Sequence, residues 1–131
     1  MKTILGLLTA LLLTSPVMAE TVLYCQDIAA GGVVFKDGRW THTNFNLERY
    51  TFRLSDDRRT LNTKRGNYSC DVLQGLWITC KVDSFILDPW MILLSEDLSR
   101  FQWSLNRPGA HVATHKGARQ SSISIGNCEK F

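Results

Sequence analysis

His111 and His115 stand four residues apart. On a helix that spacing turns two imidazoles to one face and suits zinc. The segment Ala110–His115 alternates like a strand, however, and there the rings lie about 13 Å apart at roughly 3.3 Å per residue. One metal ion cannot bridge that gap, so neither a metal site nor a cofactor is expected. The acids are scattered, among them Asp27, Glu48, Asp57, Asp71 and Asp97, and several sit in turn-like sequence where Asp bonds its own backbone. No spacing singles out an acid–base pair. Ser69 lies outside any nucleophile-elbow pattern, and Gly31-Gly32 lacks the strand–glycine–helix setting of a phosphate loop. The side chains lean away from catalysis.

Two groups of residues favour binding. Arg49, Arg53, Arg58, Arg59, Lys64 and Arg65 crowd one stretch. Pairing Arg49–Ser55 with Arg59–Arg65 across the turn at Asp56–Arg58 sets several of them on one outer face. Such a face suits an acidic protein or another anionic surface; the plainer reading is a solvated basic face. The second group is tryptophan, four in the chain. Trp103 falls on a core face. Trp77 points away from Leu76, Ile78 and Cys80, and Trp90 follows Pro89 in an expected loop. An exposed indole anchors an interface or stacks on a sugar; the plainer reading is an indole covered by a loop. The candidate binding residues are therefore Trp77, Trp90, Arg49, Arg53 and Lys64, facing another protein or an anionic or saccharide surface.

Four cysteines, Cys25, Cys70, Cys80 and Cys128, are an even set with no close pair of the kind zinc sites use. Disulfides follow if the chain reaches an oxidising compartment. The run Asn67–Val82 reads as a hairpin about Gly75, with Tyr68, Cys70 and Val72 on one face and Ile78, Cys80 and Val82 on the facing one. That register sets Cys70 opposite Cys80 at a distance a disulfide accepts. Cys25 is left to join Cys128, the first strand to the last.

The elements that position these residues alternate with period 2. Glu48–Ser55 turns Tyr50, Phe52 and Leu54 one way. Arg100–Leu105 turns Phe101, Trp103 and Leu105 inwards, and Ser121–Asn127 is expected to do the same with Ile123 and Ile125. Val22–Gln26 and Gly32–Lys36 are shorter strand candidates, and Met91–Leu98 reads as a helical turn. Asp37-Gly38 predicts a two-residue hairpin joining Phe35 to Trp40. Turns also fall at Asp56–Arg58, Asp88-Pro89, Asn106–Gly109 and Lys116-Gly117. The pattern predicts an all-β fold: a small antiparallel meander of about eight short strands closing into a barrel or compact sandwich. Its interior is expected to be filled by large side chains. No internal repeat is visible.

Residues 1–19 are an address. Lys2, the apolar run Ile4–Leu13, the break at Ser15-Pro16 and the small-residue site before Ala19 form a secretory signal. The run is too short to span a bilayer. The mature chain, residues 20–131, is then a single domain in the periplasm or outside the cell. Loss of Lys2 takes the formal charge from +3 to +2, too little to argue for nucleic acid. Size, export signal and terminal-strand bridge resemble the small periplasmic β-barrel inhibitors of lysozyme. That resemblance is architectural and implies no site residue. The leading expectation is an exported, non-catalytic binding protein, an inhibitor or accessory factor. A small-ligand carrier with an open barrel and a hydrolase with a loop-assembled site are the alternatives.

Overall fold

The computed structural model describes residues 19–82, 90–106 and 120–131. Residues 1–18 of the expected signal segment, His111 and His115, the expected turns at Asp88-Pro89 and Lys116-Gly117 and residues 107–109 of the turn expected at 106–109 lie outside them. The described residues form nine antiparallel strands: β1 Glu20–Lys36, β2 Arg39–Asn44, β3 Arg49–Ser55, β4 Thr60–Thr63, β5 Gly66–Leu73, β6 Trp77–Val82, β7 Trp90–Ser95, β8 Arg100–Asn106 and β9 Gln120–Lys130. From β3 to β9 each strand pairs with the next, and β1 pairs with both β3 and β9. Eight strands thus close into a barrel, which removes the edges an open sheet would expose. β2 is the ninth strand and lies on the far half of β1.

Both disulfides have the expected partners, Cys25–Cys128 and Cys70–Cys80. Cys70 faces Cys80 in the β5–β6 ladder, and Cys25 faces Cys128 across the closing seam. Two bridges in so small a domain are consistent with an oxidising compartment. Asp37 and Gly38 take positive φ, 52° and 77°, and set Phe35 against Trp40 as the two-residue turn requires.

Three expectations are corrected. The two short candidates near the start are one 17-residue strand. A bulge at Ile28, between Asp27 and Ala29, lets β1 leave β3 and run on between β2 and β9. Met91–Leu98 is no helical turn: Trp90–Ser95 is β7, with Ile92 and Leu94 fully buried. Ile123 and Ile125 face outwards, at 46% and 41% exposure. Buried Cys128 fixes the phase of β9, so period 2 turns Gly126 and Ser124 inwards instead.

The barrel centre is filled, as the large inward residues require. Phe52 lies edge-on to Phe101 and to Trp103, with ring centroids 5.6 and 5.7 Å apart, and Tyr50 stacks on Phe52. Leu23, Leu54, Leu61, Ile78, Ile92 and Leu94 complete the packing.

The expectation of no internal repeat is also corrected: the turns repeat, and the sequence marks this only by Leu54-Ser55-x-Asp57 and Leu94-Ser95-x-Asp97. Ser55 donates to Asp57 Oδ1 at 2.6 Å, Arg59 N–H to the same oxygen at 3.0 Å, and Thr60 N–H to Ser55 Oγ at 2.9 Å. Forty residues later Ser95, Asp97, Ser99 and Arg100 make the same three bonds at 2.6, 3.0 and 3.0 Å. Arg58 and Leu98 take matching positive φ of 57° and 61°. Cys70 N–H bonds the Arg59 carbonyl as Cys128 N–H bonds that of Ser99, both at 2.8 Å. The barrel is therefore two similar four-strand units, β3–β6 and β7–β9 with β1, each holding one disulfide.

These turns titrate. The Ser95 hydroxyl, then the Ser99 N–H and hydroxyl, hold the Asp97 carboxyl well below its ordinary value of 3.8. Ser55 and the Arg59 N–H lower Asp57 in the same direction. A depressed carboxyl supports folding above its ordinary value and loses that support as pH falls through the depressed one. Ser95→Ala is expected to move the Asp97 midpoint up towards 3.8, read by carboxyl-carbon NMR titration. An unmoved midpoint would refute the cause.

Candidate functional site

The two units differ at one place. In the second, β7 and β8 pair over five positions, from Leu94↔Phe101 to Trp90↔Leu105. In the first, β3 and β4 pair only at Leu54↔Leu61 and Arg53↔Asn62. β4 stops at Thr63, and Lys64-Arg65 turns the chain into Gly66, whose φ of 140° suits glycine. Lys64 and Arg65 hold the positions that Ser104 and Leu105 hold in the zipped unit, forty residues on. The wall consequently parts between β3 and β4.

The phase of the ladder shows what the gap uncovers. Asp27 N–H bonds the Glu48 carbonyl at 3.0 Å. Alternation along β3 then turns the backbone groups of Tyr50 and Phe52 towards β1, and those of Arg49 and Thr51 towards the gap. Neither Arg49 nor Thr51 has a strand partner on that side among the described residues. A groove of about 770 Å³ runs along this edge, lined by residues from both faces of β3: Arg49, Thr51 and Arg53 outside, Tyr50 and Phe52 inside. An unbroken wall would show only one face. Lys64 and Arg65 line the opposite bank.

Arg65 closes the upper end. Its guanidinium lies 5.1 Å from the Trp90 ring centroid and 4.9 Å from that of Trp103, a cation–π seat on two indoles. It also bonds Glu48 Oε2 at 3.0 Å. Half-exposed, that ion pair adds little stability, but it fixes where the cation stands.

Behind Arg65 a smaller pocket, about 120 Å³, opens in the barrel mouth. Asp27, Glu48, Tyr50, Arg65, Trp90, Trp103 and Ser124 are among its lining residues. Asp27 is only 2% exposed. Its Oδ2 accepts from the Glu48 N–H and the Tyr50 hydroxyl, both at 3.0 Å. Burial first, then the hydrogen bond to Asp27, push the Tyr50 phenol up to about 12, so it stays protonated and donating at neutral pH. Glu48 is paired with Arg65, and Asp27 Oδ2 is held by the Glu48 N–H and the Tyr50 hydroxyl. No group of three or more His, Cys, Asp or Glu able to hold a metal occurs among the described residues; His42 is exposed on β2.

Of the sequence candidates, Arg49, Arg53 and Lys64 come together on the groove. Trp90 is not in a loop: it opens β7, half-buried, its ring 5.7 Å from that of Trp103. Trp77, 44% exposed, pairs with Leu73 at the opposite end of the barrel. Leu73 to Gly66 along β5 is about 23 Å at roughly 3.3 Å per residue, so Trp77 shares no surface with the groove. Sequence reasoning missed Asp27, Glu48 and the seat of Arg65. The one signal available was the offset pair Leu54-Ser55-x-Asp57 and Leu94-Ser95-x-Asp97, which marks the repeated turn from which the two walls can be compared. No family model, curated protein or solved structure matches the chain.

Proposed function

We propose that this is an exported, non-catalytic binding protein, and that its receiving surface is the parted wall between β3 and β4. The ligand is an extended acidic segment of another protein. It lies along β3, pairs its backbone with Arg49 and Thr51, and sets carboxylates among Arg49, Arg53 and Lys64. The observation that carries this reading is the edge of Thr51: exposed and flanked by like charges, where the sister unit is zipped shut. A strand edge selects a peptide, since its backbone groups repeat at the spacing of another strand. The basic bank selects acidic side chains and speeds encounter.

A fluorescein-labelled peptide of alternating Glu and Thr tests this by anisotropy. Saturable binding that weakens with salt is expected, with each of Arg49→Ala, Arg53→Ala and Lys64→Ala losing about two- to tenfold. Trp77→Ala is expected to leave it unchanged. The same peptide with Lys in place of Glu should not bind. No binding of the acidic peptide, or equal competition by a sulfated oligosaccharide lacking a peptide backbone, would defeat the proposal.

A further inference from the structure

Two buried polar atoms in the barrel mouth lack partners among the described residues. One is Asp27 Oδ1, an acceptor; the other is Trp103 Nε1, a donor. Both side chains are more than nine-tenths buried, at 2% and 4% exposure, and both line the 120 Å³ pocket. An unpaired buried polar atom is costly, and here two of opposite character share one small space. Asp27 Oδ2 is taken by Tyr50 and the Glu48 N–H, and Arg65 spends one N–H on Glu48 while its guanidinium lies over two indole rings.

We propose that this pocket is a binding site for a small zwitterionic amino acid, of the size of glycine, alanine or serine. Its ammonium group donates to Asp27 Oδ1 beside the Tyr50 and Trp90 rings, where a cation is also attracted to the aromatic faces. Its carboxylate accepts from Trp103 Nε1–H and from N–H groups that Arg65 does not spend on Glu48. A carboxylate in a low-dielectric pocket favours a charged donor over a neutral one, which selects the amine. The pocket's volume of about 120 Å³ has room for any of these three. The site lies behind Arg65, which with Glu48, Tyr50 and Trp103 also lines the groove, but its test uses no peptide, so its failure and that of peptide binding are read separately.

The experiment is an amide and indole NMR titration of the oxidised mature protein, following the Trp103 Nε1–H. Trp77 and Trp40, which do not line the pocket, are internal references. Glycine, alanine and serine are expected to shift Trp103 saturably by about 10 mM, a weak millimolar site. Methylammonium, acetate and neutral acetamide carry one end or no charge, and each is expected to bind at least about tenfold more weakly. Asp27→Asn should weaken glycine at least about tenfold. Because Asp27 also holds Tyr50, the wild-type comparison of glycine with its single-group fragments decides the matter without that variant. Trp103 moving no more than Trp77, or acetate or acetamide matching glycine, would overturn the assignment.

Discussion

Removing the Cys25–Cys128 bridge is expected to cost more stability than removing Cys70–Cys80, by about 2 kcal/mol. The first joins residues 103 apart in sequence, the second residues 10 apart. In the chain-entropy account those loops restrain the unfolded chain by about 4.7 and about 2.7 kcal/mol respectively. All four half-cystines are buried, so the small voids left by Cys25→Ala/Cys128→Ala and Cys70→Ala/Cys80→Ala are similar and largely cancel. Against a total of about 5–15 kcal/mol for a small domain, losing the seam bridge is a large fraction. Urea unfolding of the two double variants measures the difference. Equal losses, or a larger loss for the short loop, would show that Cys25–Cys128 does not pin a closed barrel.

The same seam predicts a second large effect. Gly126 faces Asp27 across β1–β9 and occupies the position that Tyr68 fills in the other unit. A Cβ there would clash with the Gln26 carbonyl oxygen and with Phe101 Cε1. The carbonyl belongs to the strand backbone and cannot swing aside, and Phe101 is locked among Tyr50 and Phe52. Gly126→Ala must therefore open the seam or displace the core, at about 3 kcal/mol, the upper range for overpacking. Gly38→Ala is the comparison. Its site has open space and only a positive φ of 77°, so about 1 kcal/mol is expected from conformation alone. Thermal or urea unfolding of both variants separates steric from conformational cost. A tolerated Gly126→Ala would mean that β1 and β9 do not approach this closely.

Much of this architecture could be read directly. Strict alternation over Glu48–Ser55 and Arg100–Leu105 determined the inner faces, and the arms about Gly75 determined the Cys70–Cys80 register. β9 misled because its large residues, Ile123 and Ile125, lie outside, while its inner positions are Ser124 and Gly126. Hydrophobicity ranks side chains by size and polarity; here the inner wall needed a small residue to admit a neighbouring backbone. β7 misled because its run is apolar on both faces, and periodicity cannot separate such a strand from a helix. The candidate site was half legible. Clustered Arg and Lys marked the bank, but the break in the wall comes from what β4 lacks relative to β8. That comparison needs the turns aligned in space, since the repeated units share few residue types beyond Leu, Ser and Asp. Asp27 shares the inner face of Leu23 and Cys25 by simple alternation, but the strand read from the sequence ends at Gln26, one residue short of it.

Backbone hydrogen exchange at Thr51 tests the open edge most directly. In the free protein the Thr51 amide should exchange far faster than those of Phe52, which faces β1, and Arg53, which pairs with Asn62. Saturating Glu–Thr peptide should protect Thr51 and leave Phe52 as it was. A Thr51 amide already protected in the free protein, or one that stays fast with the peptide bound, would contradict a receiving strand edge.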